Sequence, residues 1–352
     1  KDSALVGLEI EADSIAAVEV DAGGSTPLSG TAIVPLAPGA FHDGEVTDPA
    51  ALCSALKGLF SQHKLSRRVR LGIANQKVVV RTLRLPAIDD PKELEMAVRS
   101  QAQEQIPMPL EQAVLDHRVV GGVAEVDGMA PQIDVVVVAA RRDMIEATLK
   151  PLEDAGLEPV GVDLSAFGLI RALSEPAKGE DGSAPEPSNT ATLYCNVGDA
   201  TNLAIAKGKS CLFTRVSPAG LEDVAASLAA SAGLTEEHAR MWLTHVGLAE
   251  PVETIEGDPE IVARARGALE GGASAVLDEL RLSLDFYGAQ EAAAPVDRVV
   301  VGGPGGALPG FAEWMAPILG LPISSGFPSA LAGMDPAAAA RLTLPYGLAL
   351  DG

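Results

Sequence analysis

The chain has 352 residues, enough for about two domains of roughly 150 residues and for a core that needs no disulfide or metal staples. With 26 Lys and Arg against 48 Asp and Glu, the net charge of −22 excludes broad binding to nucleic-acid phosphates and docking on anionic lipid through a basic patch. Seven Phe, three Tyr and two Trp leave Ala, Val and Leu to fill the core, and exclude a base-stacking platform.

Residues 5–10 and 15–20 alternate apolar positions on either side of Glu11-Ala12-Asp13-Ser14, which predicts two short strands joined by a tight turn. A loop carrying Pro35, Pro38 and Gly39 is expected next. Asp48-Pro49 opens a helix, with aspartate as cap and proline in the first turn; its apolar face is Leu52, Leu56, Leu59 and Phe60. Residues 69–73 and 78–85 read as strands. Asp90-Pro91-Lys92-Glu93 caps a second helix. Its stripe of Leu94, Ala97, Val98, Ala102 and Ile106 runs to a stop at Pro107 and Pro109. Residues 114–120 and 133–140 are strands around a glycine-rich turn, and 143–155 a helix that ends on Gly156.

Residues 174–191 have the composition of a flexible acidic linker, and after them the pattern begins again. Residues 192–197 and 201–206 are strands around Gly198-Asp199-Ala200, and 210–216 is a third strand. Helices follow at 219–232, 235–247 and 258–291. The buried strand 299–301 feeds Gly302-Gly303-Pro304-Gly305-Gly306, and a helix covers 311–319. Each half therefore starts with a strand–turn–strand unit, which implies an internal duplication built in α/β layers. Cys53, Cys195 and Cys211 form no Cys-x-x-Cys pair, so neither a disulfide framework nor a zinc site is expected. No run reaches the ~18 apolar residues that span a bilayer. A cytoplasmic protein without direct membrane insertion is expected, brought to any membrane by a partner.

Paired hairpin turns whose backbone N–H groups face each other are how actin-like ATPases hold phosphates. The chain resembles the PilM family of the type IV pilus assembly platform. The resemblance lies in Val6-Gly-Leu-Glu-Ile10, Arg70-Leu-Gly-Ile-Ala-Asn-Gln76 with Val78-Val-Val-Arg81, and Asp89-Asp-Pro-Lys-Glu-Leu94. It continues in Gln101-Ala-Gln-Glu-Gln-Ile-Pro-Met108, Glu111-Gln-Ala-Val-Leu-Asp116 and Val136-Val-Val-Ala-Ala-Arg141. In the second half it lies in Phe213-Thr-Arg215, Val300-Val-Gly-Gly303 with Leu308-Pro-Gly310, and Tyr346-Gly-Leu-Ala-Leu350.

The resemblance implies a duplicated actin-like (RNase H-like) α/β fold with a small α+β subdomain inserted in the first half, as in FtsA. The divisions expected are 1–85 for the first subdomain, 86–160 for the insertion, and 161–189 for a return and the linker. The second domain takes 190–330, and 331–352 returns to the first subdomain. The resemblance further implies an adaptor that binds the N-terminal cytoplasmic tail of a PilN-like inner-membrane protein, in a groove between the first subdomain and the insertion. Pilus motor ATPases would couple through the same platform.

The family's nucleotide positions carry over to Glu11, Ala12, Asp13 and Ser14 in the first turn, and to Asn196, Gly198, Asp199 and Thr201 in the second. Gly302 and Gly303 form the adenosine-side turn. The sequence departs from the family there. Glu11 stands for glycine, Asp13 for serine, Ala16 for lysine and Asn196 for aspartate, and Asp199 adds an acid. Like charges ~4 Å apart at an effective dielectric of 20 repel by about 4 kcal/mol per unit pair. A degenerate site without cofactor is therefore expected. The alternative is an active ATPase in which Mg²⁺ bridges the acids to ATP phosphates and nucleotide state gates partner binding. A paralogue in type II secretion, similar to GspL, is a further alternative.

Other signals read blandly. Gly208-Lys209-Ser210 lacks the first glycine of a P-loop and lies between strands, so a hairpin turn is expected. His238 and His245 lie two turns apart on one helix without a third ligand. Arg81, Arg84, Ile106, Pro107 and Met108 border the position of the family's tail-binding groove, where capture would use backbone bonds and apolar pockets. Solvated edge charges and core packing are the competing roles for these five.

Overall fold

In the computed structural model, which describes residues 4–21, 28–123, 131–174, 189–290 and 293–350, both expected hairpins form. β1 (Ala4–Ile10) pairs antiparallel with β2 (Ser14–Asp21), with Ile10 opposite Ile15 across the turn. The expected loop after residue 20 instead contains β3 (Leu28–Pro35), antiparallel to β2. The prolines that suggested a loop fall at its end and beyond, where no ladder bond is needed. After the short pair β4 (Phe41–His42) and β5 (Glu45–Val46), the Asp48 carboxylate accepts from the Ala50 and Ala51 amides to start α1 (Pro49–Gln62). β6 (Arg68–Ile73) then lies parallel to β1.

A separate compact unit covers Asn75–Lys150. It holds β7 (Val79–Pro86), α2 (Pro91–Gln105), β8 (Ala113–Val123), β9 (Gln132–Arg141) and the first turns of α3 (Arg142–Asp154). Its sheet order is β7-β9-β8, and α2 packs Val98 and Ala102 against Leu83, Val135 and Val137. The unit begins and ends about ten residues before the expected 86–160, because β7 pairs along its whole length with β9.

The larger unit takes in Lys1–Ala74 and Pro151–Gly352. Its first half is completed by β10 (Glu158–Leu164), parallel to β6, and α4 (Ser165–Leu173). Most of the expected linker, 175–188, lies outside the described residues. The second half has β11 (Ala191–Val197), β12 (Thr201–Lys207) and β13 (Ser210–Ser217), followed by α5 (Leu221–Ala232), α6 (Glu236–Val246) and α7 (Pro259–Gly288). β14 (Val296–Gly302), α8 (Gly303–Gly306), α9 (Phe311–Leu319) and β15 (Ile323–Ser325) complete it, and α10 (Pro336–Ala349) returns to pack on the first half.

The sheet orders are β10-β6-β1-β2-β3 and β13-β12-β11-β14-β15. In each, three antiparallel strands are extended by two parallel ones, so the duplication inferred from the paired hairpins holds for the whole sheet. The first sheet buries Leu8, Ile15 and Leu71 with Leu52, Leu56 and Leu59 of α1. Its other face meets Leu342 and Tyr346 of α10. The second sheet packs Leu193, Leu203 and Val301 on α5, α6, α7 and α9. At the base of the cleft between the halves, α4 crosses α10 at Gly168 and Gly347 and also packs against β11, β12 and β13. The two hairpin turns, 11–13 and 198–200, lie at the mouth.

Candidate functional site

The turns meet, and the chain's own groups fill the space between them. The Ala12 N–H donates to Asp199 Oδ2 across the cleft at 3.0 Å. The other oxygen, Asp199 Oδ1, accepts from the Ala200 amide at 2.7 Å. Thr201 Oγ1 donates to the Ala219 carbonyl at 2.5 Å, and the Leu221 amide donates to the Gly198 carbonyl at 2.8 Å, so the second turn is tied to the start of α5. Glu11 lies against Gly198, where a Cβ would come within 2.1 Å of Glu11 Oε1; the position needs glycine.

Two arginines not anticipated from the sequence organise these acids. Arg341 of α10 donates through Nη1 to Glu11 Oε2 at 3.1 Å, Asp13 Oδ1 at 2.9 Å and Ser14 Oγ at 2.7 Å, and through Nη2 to Asp13 Oδ2 at 2.8 Å. This guanidinium fork matches the carboxylate plane as it would a phosphate. Arg240 of α6 bonds Glu222 of α5 through Nε at 3.1 Å, reaches Glu236 at 3.4 Å, and lies 3.8 Å from Asp13 Oδ2. Leu243, Pro304 and Leu308 form an apolar wall of the same cleft.

The electrostatics follow from burial and crowding. Burial, then the neighbouring Asp199 charge, push the Glu11 carboxyl up to about 8, although Arg341 opposes them. Burial likewise raises Glu9, with Glu11 and Asp199 adding to it, and raises Asp199 against its two backbone hydrogen bonds. Burial pulls Asp13 upward too, but there the Arg341 bonds and charge win, and the carboxyl is held below its usual range. The sign for stability is fixed by linkage. Between the ordinary glutamate value of about 4.3 and about 8, folded Glu11 keeps a proton that the unfolded chain has released. Its contribution is full below that window and is lost as pH rises through it. The urea midpoint is expected to fall between about pH 4.5 and about pH 8, and to fall less in Glu11→Gln. An equal fall in the variant would assign the pH dependence to other groups.

The remaining candidates are placed as follows. Asn196, at the end of β11, lies beneath Gly303, whose φ is +71° and whose Cβ would fall 2.5 Å from Asn196 Oδ1. Gly302 ends β14 at the same junction. Ala16, at the family's lysine position, is buried in the apolar layer under α10. In the smaller unit, Arg84 pairs with Asp134 on the adjacent strand at 2.8 Å, and exposed Arg81 bonds the Val80 carbonyl. Ile106 is buried in that unit's core and Met108 packs against it, whereas Pro107 is exposed. His245 bonds the Glu256 carbonyl at 2.7 Å and stacks edge-on to Trp242, while His238 has its amide bonded to the Thr235 cap. Gly208 makes the hairpin turn between β12 and β13 with φ +57°. Among the described residues no group of His, Cys, Asp and Glu could hold a metal ion, and no helix is long and apolar enough to cross a membrane.

The family model described as type IV pilus assembly protein PilM matches residues 7–330. A chain solved in a PilM–PilN type IV pilus biogenesis complex is 27% identical, with a TM-score of 0.78, over 98% of this chain and 97% of that one. The ethanolamine utilization protein EutJ of Carboxydothermus hydrogenoformans is 16% identical, with a TM-score of 0.56, over 100% and 91%. MreB5 of Spiroplasma citri, solved with ADP, is 12% identical, with a TM-score of 0.54, over 98% and 95%. The last two share the actin-like fold with this chain.

Proposed function

The chain belongs to the family of type IV pilus assembly protein PilM, and from that premise we propose that it is an adaptor of the pilus platform that binds a PilN-like membrane protein and works without nucleotide. The observation that carries the partner is its similarity, over nearly its whole length, to a chain solved in a PilM–PilN complex. On this reading the N-terminal tail of the PilN-like protein holds the chain at the inner membrane, and the platform links it to the pilus motor ATPases. Exposed Arg81 and Arg84 of β7 and exposed Pro107 after α2 are the residues proposed to meet that tail.

The cleft supports the second part of the proposal. A triphosphate needs free N–H donors and a cation. Here the Ala12 N–H is engaged by Asp199, and Arg341 is bound to Glu11 and Asp13. A phosphate entering between the turns would meet the Asp13 and Asp199 carboxyl oxygens and the buried Glu11 carboxyl instead, and the residues do not fit Mg·ATP. The test is calorimetry with a synthetic N-terminal peptide of the neighbouring PilN-like protein. Saturable binding with the same Kd, within about threefold, with and without Mg·ATP is expected. No binding in either condition would overturn the partner assignment. Binding only with Mg·ATP would overturn the nucleotide-free reading.

A further inference from the structure

The bonds at the cleft mouth are of two kinds. Arg341 gathers Glu11, Asp13 and Ser14 within the first half. The others cross between the halves. The Ala12 N–H is bonded to Asp199, 187 positions away in the sequence. Arg240 is anchored on Glu222 and Glu236 in the second half and reaches Asp13 in the first. Glu11 Oε1 lies against Gly198. The halves also meet where α4 of the first packs against β11, β12 and β13 of the second. That packing serves as a hinge, and the bonds between the turns are its fastening.

We propose that Ala12–Asp199 and Asp13–Arg240 form an electrostatic clasp that holds the two halves of the larger unit closed without any ligand, so that cleft opening is set by competing charge. This goes beyond the adaptor reading and does not depend on the PilN-like partner. The residues themselves argue for it. Asp199 presents to the Ala12 amide the negative oxygen that a phosphate would present. Arg341 supplies the positive charge that keeps Asp13 ionised for Arg240. The crossing pair is partly exposed, Arg240 at 29% and Asp13 at 19% of the side chain. Salt therefore reaches it: the screening length shortens from ~10 Å at 0.1 M to ~3 Å at 1 M.

The test is hydrogen exchange of the full-length chain without nucleotide, with the Ala12 amide resolved. Raising NaCl from about 0.1 M to about 1 M is expected to speed exchange of that amide at least tenfold. Arg240→Met is expected to do the same at low salt, although Arg240 does not touch Ala12, because the two bonds open together. Arg240→Lys should partly restore protection. A purely local Ala12–Asp199 bond would respond to Asp199→Ala and ignore Arg240→Met. Unchanged Ala12 exchange in wild-type protein at high salt, or in a folded Arg240→Met protein, overturns the clasp. The salt arm needs no variant and stands even if Arg240→Met fails to fold. Mg·ATP is absent throughout, so a failure here is distinct from a failure of the nucleotide-free reading.

Discussion

Arg341→Ala is expected to lower the stability of the larger unit by about 3 kcal/mol, the low end of the range for removing one partner from a buried ion pair. Arg341 makes four hydrogen bonds to three residues of the first turn. Its side chain is 24% exposed, and those of Glu11 and Asp13 are 11% and 19% exposed. Without the guanidinium, the Asp13 carboxylate remains close to Asp199 in a poorly solvated cleft, and the Glu11 carboxyl loses its partner. Asp13 must then take up a proton or draw in water. Arg341→Lys keeps the charge but not the fork, and should lose less. The chain's two tryptophans, Trp242 and Trp314, both lie in the larger unit, so their fluorescence during urea unfolding reports it. A loss below about 1 kcal/mol would class the cluster with weak surface pairs.

Gly347→Ala is expected to cost at least about 3 kcal/mol, beyond the usual overpacking range, or to prevent folding. A Cβ at position 347 would lie 1.8 Å from the Gly168 carbonyl oxygen and 2.6 Å from its carbon. Those are backbone atoms of α4, which cannot rotate away as a side chain could. Retreat of α10 is blocked as well, since it packs on β1 at Gly7, where a Cβ would fall 1.9 Å from the Pro345 oxygen. Gly267 on the exposed side of α7 supplies the contrast. A Cβ there meets nothing within 4 Å, so Gly267→Ala should stabilise by up to about 1 kcal/mol through helix propensity alone. If both substitutions were neutral, the close crossing of α4 and α10 would be wrong.

Features written in adjacent residues could be read directly. Asp48 and Asp90, each followed by proline, cap α1 and α2 as their spacing predicts, and both facing hairpins follow from apolar alternation. β3 was hidden by the prolines at its end, and β10 by Pro159 and Gly161, which interrupt the alternation and coincide with a register shift. The candidate site was half legible. Glu11, Asp13, Gly198 and Asp199 do converge on one cleft. Arg341 was not foreseeable from local pattern, because a lone arginine after an alanine run reads as a solvated helix charge and its acceptors lie some 330 positions away. One signal was available: three acids in two phosphate-type turns require compensating cations from somewhere in the chain. Ile106 and Met108 show the reverse. Their position suggested a binding edge, while the stripe they close carries them into the core of the smaller unit.

On the proposed function, the chain's own carboxyl groups and arginines take the place of nucleotide in the cleft. Calorimetric titration of the full-length chain with Mg·ATP tests it most directly. No saturable heat is expected up to about 1 mM nucleotide, a free energy of binding no better than about −4 kcal/mol. Saturable binding with a Kd in the micromolar range or tighter would contradict it.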